Sequence, residues 1–91
     1  MSNSEAKKVL KENVRKYKRA LAFVNKVPKL TYEDLKKANI LAGNPITETE
    51  LRQMWDMSQM TISGAEGLRQ TYRETLQHAI ETFSQLILKL Q

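Results

Sequence analysis

Between Leu68 and Leu90, the residues Leu68, Tyr72, Leu76, Ile80, Phe83, Ile87 and Leu90 recur at steps of 4, 4, 4, 3, 4 and 3, with Ala79 and Leu86 beside them. That period belongs to an α-helix with one apolar stripe, and nothing in the stretch interrupts it. A helix over 68–90 is roughly 35 Å long and cannot shield its stripe alone. The rest of the chain must supply surfaces that cover it.

Those surfaces are helical too. Leu10, Val14, Tyr17, Leu21 and Val24 follow one another at steps of 4, 3, 4 and 3, which predicts a helix over about 4–24. Ser2 with Glu5 is placed to cap it, and Pro28 stops it because the residue before a proline avoids the helical region. Thr31 with Asp34 opens a second helix over 32–41, carrying Leu35, Ala38, Ile40 and Leu41, and Gly43-Asn44-Pro45 ends it. Thr47 with Glu50 opens a third, which bears Leu51, Met54 and Trp55 before Asp56-Met57-Ser58 interrupts it. No stretch alternates with period two. The expected fold is therefore all-α, a single-domain bundle of four to five helices with a long C-terminal one.

Charge is unevenly placed along the 91 residues. Residues 1–30 hold nine Lys/Arg against Glu5 and Glu12, a balance of +7, while residues 31–91 hold six against eight, a balance of −2. A positive field concentrated in one element points to an acidic partner: nucleic acid, anionic lipid or an acidic protein. Cysteine is absent, so disulfides, thiolate nucleophiles and cysteine-based zinc sites are excluded together. His78 is the sole histidine, with only Glu74 at a ligand spacing, so neither a metal centre nor any other cofactor is expected. No Gly-rich phosphate loop or nucleophile–base set is present, and an enzyme is not expected. No apolar run approaches the roughly 18–20 residues of a membrane span, and the N-terminus lacks the apolar segment of a signal peptide. The expected address is the cytoplasm, with no membrane partner.

Residues 46–66 read Ile-Thr-Glu-Thr-Glu-Leu-Arg-Gln-Met-Trp-Asp-Met-Ser-Gln-Met-Thr-Ile-Ser-Gly-Ala-Glu. Through Thr47, Glu50 and Leu51, then Ser58-Gln59, then Thr61-Ile62-Ser63, this segment resembles the helix-turn-helix of the phage-repressor (Cro/repressor) type. The resemblance implies that Thr47 caps the first helix and Ser58 the second, with Ile62 turned back between them as a buried wedge. It also implies that Ser58, Gln59, Met60 and Ser63 face base edges in the major groove. Three positions depart from the pattern: Arg52 where alanine is usual, Asp56 where glycine is usual, and Gly64 where a DNA-reading Arg or Lys is common. A second register pairs 31–41 with 47–57. In a third reading Ser63 and Glu66 cap the last helix, and 57–62 merely connects two bundle helices.

Taken together, these features predict a dimeric DNA-binding regulator of the kind phages and mobile elements carry. Lys8, Lys11, Arg15, Lys18 and Arg19 would hold phosphates of double-stranded DNA. Leu76, Ile80, Phe83, Ile87 and Leu90 would form a homodimer interface or dock a protein partner. The alternative is a non-enzymatic helical interaction module, an inhibitor, adaptor or scaffold component.

Overall fold

A computed structural model describes residues 2–90. It contains α1 (Asn3–Lys26), α2 (Tyr32–Leu41), α3 (Glu48–Ser58) and α4 (Gly64–Lys89), with no strand among the described residues. The protein is thus a small all-α bundle with a long C-terminal helix, as the periodicity predicts. No helix among the described residues is long and apolar enough to cross a membrane.

Local chemistry sets most of the helix ends. At α1 the Glu5 amide donates to Ser2 Oγ at 3.2 Å, one of the four donors every helix start leaves open. At α2 the capping box is complete: the Asp34 amide reaches Thr31 Oγ1 at 3.2 Å and the Thr31 amide reaches Asp34 Oδ2 at 3.0 Å. Its far end is a Schellman turn, in which the Gly43 amide bonds Ile40 O at 3.0 Å and the Asn44 amide bonds Asn39 O at 2.8 Å. Gly43 and Asn44 take the left-handed backbone this turn needs, at φ of 90° and 56°. Thr47 caps α3 through the Glu50 amide at 3.2 Å.

The core gathers at one end of the molecule. Ala20 and Val24 of α1, Leu35 and Ala38 of α2, Leu51 of α3, and Leu68, Tyr72 and Leu76 of α4 are all buried there. Buried Asn39 locks the α2–α3 turn against this core, donating to Ile46 O at 2.8 Å and accepting from the Ile46 amide at 3.3 Å. Beyond Val14 the antiparallel α1 and α4 continue with no third helix beside them among the described residues, and their apolar residues there are only half-buried or exposed. This two-helix arm makes the molecule long and thin, 45 × 20 × 18 Å.

Tyr72 sits in the core at 2% exposure, and its hydroxyl meets no hydrogen-bond partner among the described residues. Burial, with a smaller contribution from the nearby Tyr17 phenol, pushes its pKa up from 10.0 to about 12. A phenol whose pKa is raised in the folded state keeps its full stability below pH 10 and loses it as pH climbs through 12. That loss is on the order of 2–3 kcal/mol for two pH units. Tyr72→Phe is expected to be neutral or slightly stabilising at pH 7, since it deletes an unpaired buried hydroxyl. It should also flatten the alkaline limb, as urea unfolding at a series of pH values up to 12 will show. A Phe variant that is strongly destabilised at pH 7 would mean the hydroxyl is bonded after all.

Candidate nucleic-acid interface

The resemblance places a DNA-reading helix at Ser58–Ser63, and the structure corrects this. Helix α3 runs through Asp56 and Met57 and ends at Ser58. Asp56 pairs with Arg52 one turn earlier at 3.8 Å, so it does not break the helix. The Ser58 hydroxyl donates back to Trp55 O at 2.7 Å, satisfying a C-terminal carbonyl of α3 rather than starting another helix. Residues 59–63 form turns and bends. Thr61 Oγ1 donates to Ser58 O at 2.8 Å and accepts the Gly64 amide at 3.1 Å, which folds the connection back on itself.

Gly64 opens α4 with a φ of 56°, a left-handed step that α4 needs to leave this loop and that few side-chain-bearing residues adopt readily. The last helix therefore starts four residues earlier than the sequence predicts. Ser63 makes no capping bond, so the expected Ser63–Glu66 box is also absent. Ile62, expected as a buried wedge, is fully exposed, with Met60 nearly so and Met57 two-thirds exposed. Ser58, Gln59, Met60 and Ser63 consequently share no helix face and are not placed to read bases.

The second register, α2 with α3, does exist as two consecutive helices. However, the first turn of α3 carries Glu48 and Glu50, and carboxylates at a helix N-terminus oppose phosphate there. Arg52, unusual for the family, stacks over the Tyr32 ring at 4.6 Å on the open side of α2 and α3.

The basic residues tell a different story. At about 100° per residue, Lys7, Lys8, Lys11, Arg15, Lys18, Arg19 and Lys26 fall within roughly one third of the circumference of α1. This face lies opposite the seam that Tyr17, Ala20 and Val24 present to the bundle. All but the half-buried Lys7 are exposed. The stripe runs about 28 Å from Lys7 to Lys26. Among the described residues only Arg15 of the seven has a carboxylate within ion-pair reach, Glu12 at 2.9 Å. The five phosphate-binding candidates named from sequence thus lie together, and Lys7 and Lys26 extend their row. Helical phase alone, applied from Lys7 onward, would have found those two.

The predicted interface residues of α4 divide. Leu76 is buried in the chain's own core, because α1 covers it, and it is not available to a partner. Phe83 packs on Tyr17 with ring centroids 5.6 Å apart. Ile80, Ile87 and Leu90 are half-buried in the arm.

These features define a small helical bundle with one exposed cationic helix face. No protein-family model, curated protein or solved structure matches the chain.

Proposed function

We propose that the protein binds double-stranded DNA through its phosphate backbone, with the exposed face of α1 as the contact surface. The observation that carries this reading is the stripe itself: seven cations on one helix face, of which one has an acidic partner among the described residues. Lys7, Lys11, Arg15 and Arg19 stand at successive steps of four. Like charges at that spacing repel and cost the helix about 0.2–0.5 kcal/mol per pair. A run of this kind weakens the free helix and is repaid when a polyanion neutralises it. The major groove admits a helix, and one about 28 Å long spans several phosphates on either side of it. Regulation of transcription by such a protein would rest on where it sits along the duplex.

A second reading, a helical module for a protein partner, is favoured by the exposed Met57, Met60 and Ile62 at the end of α3 and in the connection to α4.

Salt separates the two. Five to seven phosphate contacts predict a slope of log K against log salt of about −4.5 to −6.3. Affinity for a duplex then falls roughly 500- to 6000-fold between 50 and 200 mM salt. Fluorescence anisotropy on a labelled duplex measures this directly. A fall of less than about tenfold, or equal affinity for polyglutamate, would contradict the proposal and favour the protein partner.

A further inference from the structure

The chain exposes more surface than its mass requires. Its accessible area is 6198 Å², whereas a compact monomer of 10.5 kDa has about 5400 Å². Its radius of gyration, 14.5 Å, likewise exceeds the roughly 12 Å of a compact chain this long. The excess of about 800 Å² equals what one partner contributes to a standard protein–protein interface.

The arm accounts for the elongation. The Lys16 side chain lies over Gly43, with its Cδ 3.5 Å from where a Cβ on that glycine would stand, so α2 ends level with Lys16. Below that level, nothing among the described residues covers the side of the α1–α4 seam that α2 and α3 occupy at the other end. Val9, about two helical turns before Lys16, is 48% exposed, and Leu86, five turns after Leu68, is 39% exposed. Ala6, Ala79 and Leu90 beside them are half-buried.

We infer that this arm face pairs with the same face of a second copy, antiparallel, giving a four-helix arrangement with the two α2–α3 ends pointing away from each other. A parallel pairing would drive the two α2–α3 layers into the same space. Charge fits the antiparallel choice: Glu5 and Lys16 flank Val9 on this face, on either side of it along α1, so an antiparallel crossing brings Glu5 of one copy toward Lys16 of the other. The cationic stripe points away from the contact, so two copies meet without opposing it. Pairing is isologous, and each chain contributes equally to the burial.

Sedimentation equilibrium on the full chain tests this over about 1–200 µM, bracketing the micromolar affinities of interfaces this size. The expected mass is about 21 kDa, twice the 10.5 kDa of one chain. Val9→Asp with Leu86→Asp should return it to one chain while helicity by circular dichroism stays unchanged, because both positions are exposed. Met57→Ser with Met60→Ser and Ile62→Ser should leave it paired. A wild-type chain that stays single throughout overturns the inference. So does a pair that survives the aspartates, or one broken by the serine set alone. Salt-dependent DNA binding is read separately, so a single-chain protein that still binds DNA refutes only the pairing.

Discussion

Replacing Arg69 by methionine is expected to destabilise the protein by about 3–5 kcal/mol, the cost of leaving three carbonyls at a largely buried site without their charged donor. For a chain of this size that corresponds to a fall in Tm of more than about 10 °C. The reason begins at Pro28, which forces Val27 out of the helical region and strips the end of α1 of its next turn. The guanidinium of Arg69, on α4, supplies what that turn would have given. Its Nη1 donates to Val24 O at 2.7 Å and to Val27 O at 2.6 Å, and Nη2 reaches Pro28 O at 3.3 Å. Glu66, one turn earlier on α4, holds the other edge through Nη2 at 2.9 Å and Nε at 3.2 Å. The group is nearly buried, so methionine keeps the stem's packing and leaves the carbonyls without a donor. Lysine should not restore stability, because one ammonium cannot reproduce a planar fork over three acceptors. Glu66→Gln should cost far less, since Glu66 is largely exposed. Urea unfolding followed by circular dichroism measures all three. A methionine variant within about 1 kcal/mol of wild type would show that α1 ends without help from α4.

Arg69 also marks the boundary of what a sequence reveals here. The tripeptide Leu-Arg-Gln occurs twice, at 51–53 and at 68–70. One arginine stacks on a half-buried tyrosine, while the other caps a helix more than 40 residues earlier in the chain. Nothing local distinguishes them. By contrast, α2 begins and ends where the sequence predicts, because the Thr31–Asp34 box and the Gly43-Asn44 turn close within a few residues. Residues 58–63 failed for a related reason. A serine hydroxyl can cap the helix that follows or bond back to the helix before it, and the two uses leave the same letters. The choice was made by Thr61 and by the left-handed step at Gly64, which together turn the chain away before a second helix can start. The stripe on α1 was legible throughout, since it depends only on helical phase and on which face carries the apolar seam.

Neutralising the centre of that stripe, Lys11→Gln with Arg15→Gln and Lys18→Gln, is expected to lower DNA affinity about 500-fold at 0.1 M salt. Each lost phosphate contact removes about 0.9 decade at that concentration, and the salt slope should become shallower by nearly 3. The weakening should be uniform across duplex sequences, as backbone contacts require. A control triple, Lys36→Gln, Lys37→Gln and Lys89→Gln, changes net charge equally but lies off the stripe, with Lys36 engaged by Glu48 and Lys37 over the Phe23 ring. It should lose less than about tenfold, the share owed to the overall field alone. Stability should move the other way. Removing Lys11 and Arg15 relieves the i,i+4 repulsions Lys7–Lys11, Lys11–Arg15 and Arg15–Arg19, so Tm should hold or rise slightly. That opposition between stability and binding is what a surface kept for a polyanion predicts and a merely solubilising one does not. If the stripe variant binds as tightly as the wild type, or no worse than the control, α1 is not where DNA is held.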